Sequence, residues 1–497
     1  MAFIRLQHLV LLGLAATVSL AWECDLRSVL LSESNNWDAN TTITFLYDGD
    51  TFVDATERWT PYNAPTYLVA ISPATEDDTV KAVKIARRCN VPFLATGGRH
   101  GHGSTMKGLQ GGLAIDLSGL DSISLDLDAD TITVGGGVRE GDIVSQVHNA
   151  GRELPLGGCS CPGIVGVAIG AGVNNWIGLH GYILDSLLSV RLVTADADVI
   201  EVSETSNPEL FFGIRGAGAN FGIITSATFR LHPQTNNGEM LVFDVIYPIE
   251  GANMEFFEIF QNITYSMPPE LTIECNVIWN PVTNAPTLLL EGMYFGPSEE
   301  GLRLLAPFLG LKHIFSKNRT VTWDQFYDVV LLGSNPATCI PGAVHTPYTA
   351  SLKTLDVETL TRTAQGMAEM MKKYPGTRYS SYSVHTYNNK LAIGTNQDST
   401  SYPWRDAVGQ FVVLMSFPLG DTFTQEKAMQ YGREFRDDFG SHSGRDDLAV
   451  YINSAQGDET LEQIYGARNL PRLAALKAQW DPDNVFRYNF PLPTSYP

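Results

Sequence analysis

Two stretches decide how this chain is read: ATGGRHGHGS at residues 95–104 and LGGCSCPGIVGVAIGAG at residues 156–172. The first sets His100 at the end of a tight glycine turn. The second sets Cys159 and Cys161 ahead of a run of closely spaced glycines. Gly97 and Gly98 carry no Cβ, so the main chain there bends sharply and lies flat against whatever it holds. Glycine at this density weakens helices and strand interiors alike. Both stretches are therefore predicted to be turns whose backbone presses on a ligand.

Outward from these turns the pattern alternates between strand and helix. TYLVAIS (66–72) and VPFLAT (91–96) read as strands, the second running straight into the His100 turn. Between them Thr75 caps a helix to about Arg88, with Glu76, Asp77 and Asp78 in the first turn, where the helix dipole favours acids. Residues 22–60 read as an irregular wrapping segment. LAIDLSGL (113–120) and TITVGGG (131–137) are further strands, 139–151 a helix, 187–203 a hairpin, 207–216 a helix and 220–233 a strand. The glycines of RGAGANFG sit after a helix and before a strand. A dinucleotide-binding GxGxxG needs the opposite order, so that reading is rejected.

Residues 236–445 read as a second unit of adjacent strands and interspersed helices, an antiparallel sheet covered on one face. Within it RYSSYSVHTYNN alternates, with Tyr379, Ser381, Ser383, His385 and Tyr387 on one face and Tyr382, Val384 and Thr386 on the other.

The 497 residues are too many for one core, and 44% hydrophobic with 18% charged is ordinary globular composition. A net charge of −21 without any long basic cluster excludes nucleic acid and anionic membrane surfaces as partners. Residues 1–21, with an apolar stretch from Leu9 to Leu20, read as a secretory signal peptide, too short an apolar run to span a bilayer. Sequons at Asn40, Asn262 and Asn318 fit a secreted surface. The six cysteines are too few for a disulfide scaffold, and Cys159-x-Cys161 lacks the second half of a metal site.

The GGxH turn, the GxC turn with its spaced glycines, and a C-terminal stretch of the form YxN…YG…L…LK…DPxNxF (451–486) resemble the flavin-linked oxidases of the berberine-bridge-enzyme type, fungal members above all. The resemblance implies an α+β protein of two domains: an FAD-binding domain at 22–235, a substrate domain at 236–445, and a segment at 446–497 that returns to the first. It implies FAD bonded to His100 and, as a second attachment, to Cys159, with His102 and Cys161 as neighbours easily mistaken for them. Gly97, Gly98, Arg99, Gly101, Gly163, Gly166, Gly170, Gly172, Gly218, Asn220, Gly222, Ile223, Tyr488 and Asn489 are expected around the cofactor. Related flavoproteins also imply a Cys24–Cys89 bridge. Tyr451 is the expected catalytic base, Tyr387, His385 and Tyr402 pocket-wall candidates. Pro162 departs from the family's usual aliphatic residue near the oxygen-access side.

The expected reaction moves a hydride from an alcohol or activated C–H of a small molecule, a secondary-metabolite intermediate, to FAD, with O2 reduced to H2O2 by a secreted monomer. A carbohydrate oxidase, with Tyr379 and Tyr387 as stacking aromatics, is one alternative. A flavin-retaining cyclase or binding protein without redox turnover is another.

Overall fold

The computed structural model describes residues 24–497; the expected signal peptide lies outside them. The chain is α+β. Thr75 accepts from Asp78 N–H and starts the helix Glu76–Arg88, whose acids open it and whose Arg87 and Arg88 close it. Its Val80, Val83 and Ala86 pack on a four-stranded sheet. Tyr67–Ser72, Gly112–Asp116 and Phe93–Thr96 lie parallel in that sheet, and Thr42–Phe45 adds an antiparallel edge. Residues 22–60 were expected to be irregular. Instead they hold this edge strand and the short helices Leu26–Leu30 and Asp50–Thr56. Each is too short to leave a periodic trace in the sequence.

A second, five-stranded antiparallel sheet runs Ile123–Asp126, Thr131–Gly135, Ile223–Arg230, Leu187–Val193, Val199–Ser203. The expected hairpin at 187–203 is its edge. The helix Pro208–Ala217 does precede the strand Ile223–Arg230, and it breaks at Gly216, φ +137°. A Cβ there would meet Tyr402 N at 2.5 Å.

Residues 239–415 form a seven-stranded antiparallel sheet. The helices Met254–Ser266, Ser298–Leu309, Val357–Lys373 and Thr422–His442 pack on one face over Leu, Val, Phe and Met side chains. The other face is different. Lys317, Asp244, Glu291, Glu274, His385, Gln410 and Ser351 stand opposite one another at a single register position across all seven strands. Side chains on a strand alternate. The apolar neighbours Phe243, Ile273, Val384 and Phe411 therefore face the helices, and this polar row faces the N-terminal sheets.

The C-terminal helix Leu470–Trp480 buries Leu470, Leu473 and Leu476 in the core that also holds Ile132, Phe221 and Phe229. Lys477 is fully buried and donates to Asp481 Oδ2 at 2.7 Å and to the carbonyls of Asn220 and Phe486. Asp481 in turn accepts from Val485 N and Phe486 N. This knot seats DPDNVF against the N-terminal part.

Cys24 and Cys89 are bridged as expected. A bridge not foreseen joins Cys161 to Cys339, 178 residues apart.

Candidate active site

The two glycine turns pack on each other. A Cβ on Gly98 would lie 2.3 Å from Gly163 N, and one on Gly97 would lie 2.6 Å from the Gly136 carbonyl. No other residue type allows that approach. The GIVGVAIG run is not all turn, however: Ile164–Ala168 is a short helix with Gly166 inside it. Tertiary packing of Ile164, Val165 and Ala168 overrides the weak propensity of glycine.

Between and beside these turns lies a cavity of about 560 Å³. It brings together His100, Cys159, Tyr451 and Asn453, and the expected Gly97, Gly98, Arg99, Gly101, Gly163, Gly166, Gly170, Gly218, Gly222, Ile223, Tyr488 and Asn489. Two expected residues lie elsewhere. Asn220 is fully buried: its amide donates to Ala217 O and Tyr465 Oη, and its Oδ1 accepts from Leu492 N. Gly172, φ +76°, is a turn packed on Ile183. Both support the cavity from behind.

Burial, then the charges of His102 and Arg139, lowers the His100 pKa to about 4. Trp59 lies between His100 and His345, with ring centroids 5.1 and 4.2 Å away. The Trp59 indole donates to Thr338 O. His102 is also pulled down to about 4 by burial; its Nδ1 contacts the His100 carbonyl and its Nε2 is buried without a partner. The thiol of Cys159 is free, and burial raises its pKa. Cys161 is closed into its bridge, which separates the two cysteines chemically.

Tyr451 follows no strand; it opens the turn Ile452–Ser454. Its hydroxyl oxygen accepts from Val173 N at 3.1 Å and from Asn453 Nδ2 at 2.9 Å. Burial nevertheless raises it to about 12. Of the pocket-wall candidates, Tyr387 and Tyr402 are buried, and Tyr387 is tied to Tyr182 and Gln410. His385 is half-buried against Thr272 Oγ1. Tyr379 is 87% exposed and precedes the strand Ser381–Tyr387. The stacked pair expected of a sugar groove is therefore not formed.

Sequence reasoning missed several wall residues. Arg58 is buried, with one guanidinium nitrogen on the Gly101 carbonyl and the other unpartnered. Glu140 accepts from Gly157 N and lies 3.3 Å from the Tyr327 hydroxyl; burial raises its pKa to about 8. Leu331 and Thr338 come from a loop of the other unit. A single Arg, Glu or Thr gives no signal until the fold assembles the wall.

These walls fit a flat, polar cofactor. A Cβ on Gly158 or Gly166, both on the cavity wall, would meet no protein atom within 4 Å. The glycines thus keep space open; the unpartnered Arg58 nitrogen stands ready to donate, and His102 Nε2, its ring proton held on Nδ1 by the His100 carbonyl, to accept.

The family comparisons agree. An FAD binding domain model matches residues 67–203, and a berberine and berberine-like model matches residues 450–493. The FAD-linked oxidoreductase fogF of Aspergillus ruber is 41% identical over 478 residues, 95% of each chain. Among solved structures, BBE-like 1 of Physcomitrella patens superimposes with TM-score 0.79 at 22% identity, over 92% of this chain and 98% of that one. Glucooligosaccharide oxidase of Acremonium strictum, described as carrying a 6-S-cysteinyl, 8α-N1-histidyl FAD, superimposes with TM-score 0.78 at 23% identity, over 91% and 98%. At these identities the two structures speak to fold alone.

Proposed function

The chain belongs to the berberine-bridge-enzyme-like FAD-linked oxidoreductases, and we propose that it is a secreted oxidase carrying FAD on His100 and Cys159. The carrying observation is that both side chains open on one cavity, beside glycine turns that hold it open. His100, neutral above about pH 4, offers a ring nitrogen for attachment. Cys159 stands on the second turn with its thiol free. The backbone of Gly97, Gly98, Gly218 and Gly222 would line the phosphates and adenosine, with Tyr488 and Asn489 closing the cavity from the C-terminal segment.

Bound FAD supplies a two-electron hydride acceptor that O2 can reoxidise. The chain supplies the rest. Tyr451 takes the proton of the substrate hydroxyl or activated C–H, and the two N–H groups on its oxygen support the phenolate that must form before it can do so. The polar row of the seven-stranded sheet, with half-buried His385 and Glu274 in it, would offer the substrate hydrogen bonds. A small alcohol of secondary metabolism fits this face better than an oligosaccharide, which would want exposed stacking aromatics, since Tyr387 on this face is buried. Disulfides and exposed asparagines at all three sequons support passage through the secretory pathway.

Acid precipitation of the purified protein tests the attachment. Yellow colour should stay in the pellet for wild type and after either His100→Ala or Cys159→Ala, and leave it in the double variant. A colourless wild-type pellet sinks the covalent reading. Peroxide release over a panel of phenolic, polyketide and sugar alcohols then tests the substrate class.

A further inference from the structure

We propose that Cys159, Cys161 and Cys339 form a thiol–disulfide exchange site whose state decides whether the cavity contains a thiol. Cys159 Sγ stands 3.0 Å from Cys161 Sγ and 3.7 Å from Cys339 Sγ. The free thiol thus rests against the very bridge that its neighbour makes. Thr338 Oγ1 holds it at 3.3 Å, and Thr338 and Cys339 belong to the loop that roofs the cavity. The three sulfurs lie within 4.8 Å of one another, but a closed bridge leaves only one as a thiolate ligand, so the cluster is built for exchange rather than for a metal.

The Cys159 thiolate attacks the Cys339 sulfur. The Cys159–Cys339 bond forms as the Cys161–Cys339 bond breaks, and Cys161 leaves as a thiolate that takes up the proton Cys159 gave up. No electrons enter or leave. Cys339 is the sulfur attacked because the Cys159-Ser160-Cys161 turn is fixed. Ser160 N donates to Asn335 Oδ1 at 3.0 Å and its carbonyl accepts from Gly141 N at 2.9 Å. A direct Cys159–Cys161 ring would have to distort both.

Either bridge keeps the roof tied to the glycine turn. With Cys161 in the bridge, Cys159 presents a thiol to the cavity; with Cys159 in it, the cavity wall carries none. On the reading that Cys159 takes the flavin, attachment there locks the bridge as Cys161–Cys339, and the exchanged form carries flavin on His100 alone.

The test is disulfide and flavin mapping of the full-length protein, acid-quenched and alkylated with N-ethylmaleimide. In Cys161→Ala, the thiol oxidants of folding should close Cys159–Cys339, with flavin on the His100 peptide and none on the Cys159 peptide. Recovery of Cys159 and Cys339 both alkylated would overturn the proposal, as would zinc bound in the wild type. Should Cys161→Ala not fold, wild-type protein made under riboflavin limitation decides. Fragment spectra should find the alkyl label divided between Cys159 and Cys161; label on Cys159 alone refutes exchange. Exchange without flavin on Cys159 in any sample would refute the second attachment and leave the exchange site standing.

Discussion

Tyr451 concentrates the chemistry expected of single residues here. Its hydroxyl accepts two N–H groups, yet burial raises it to about 12, so its proton stays on through neutral pH. A base must be ionised to act. The ionised fraction rises tenfold per pH unit below the pKa, so log kcat/KM should climb with pH across the neutral and alkaline range. Tyr451→Phe should lose that slope and about 10²–10⁴ in kcat with flavin absorbance unchanged; an unaltered kcat removes Tyr451 from the reaction. Glu140 gives a second pH signature. Its folded pKa, about 8, lies above the ordinary 4.5. The buried carboxyl is therefore little disturbed near pH 5, and its penalty on the fold grows as pH rises from about 4.5 to about 8 and is complete above that. Glu140→Gln keeps an acceptor for Gly157 N and cannot ionise. It should match wild-type Tm at pH 5 and exceed it at pH 9, by up to a few kcal/mol of stability. An equal difference at both pH values would show that packing, not charge, separates the two. His100 and Cys159 were legible in the sequence because glycine spacing marks a backbone that must bend. Glu140 and Arg58 were not, since burial is what gives each its character.

Among elements, the seven-stranded sheet and the loop it supports were read least completely. The strands and their alternation are visible one at a time: RYSSYSVHTYNN does split Tyr382, Val384 and Thr386 from Ser383, His385 and Tyr387. The polar row from Lys317 to Ser351 is invisible, because it exists only once six pairings fix the register. Within it, Glu291 holds the roof loop by accepting from Leu331 N at 2.7 Å. Leu331 and Leu332 both sit at positive φ, a conformation costing a leucine roughly 1–2 kcal/mol per residue. Burial drives the Glu291 carboxyl well above the usual range, and Gln in its place keeps an acceptor for Leu331 N. Glu291→Gln should therefore be nearly silent at pH 7. Glu291→Ala leaves a buried N–H unpaired and should cost about 1–3 kcal/mol, read by denaturant unfolding, and raise KM as the roof loosens. Equal loss in both variants would show that the carboxylate charge, not an acceptor atom, holds the loop.

For the molecule as a whole, the sequence tells which parts meet but not how tightly they depend on one another. The motif at 451–486 marks a return to the N-terminal part, and the structure shows what the return does. Phe486, Tyr488, Asn489 and Phe490 complete the cavity wall, while Leu470, Leu473 and Leu476 join a core built from residues 132–231 together with Met240, Val242, Met293, Phe295, Trp323 and Phe326. The last segment is therefore part of that shared core, held by the Lys477–Asp481 knot rather than by a strand. Breaking a buried ion pair on one side leaves a charge uncompensated, at about 3–5 kcal/mol. Lys477→Met keeps most of the side chain's volume and removes its charge. It should lower stability by that amount and release the wall residues that follow, so flavin content should fall along with Tm. The His100 turn does touch this segment, Gly103 packing on the Phe490 ring, whereas Gly163 approaches only Gly98 and Val138 and Gly166 opens on free space. If Lys477→Met unfolds earlier yet retains a full complement of flavin, the glycine turns grip the cofactor unaided, and the C-terminal segment serves the core alone.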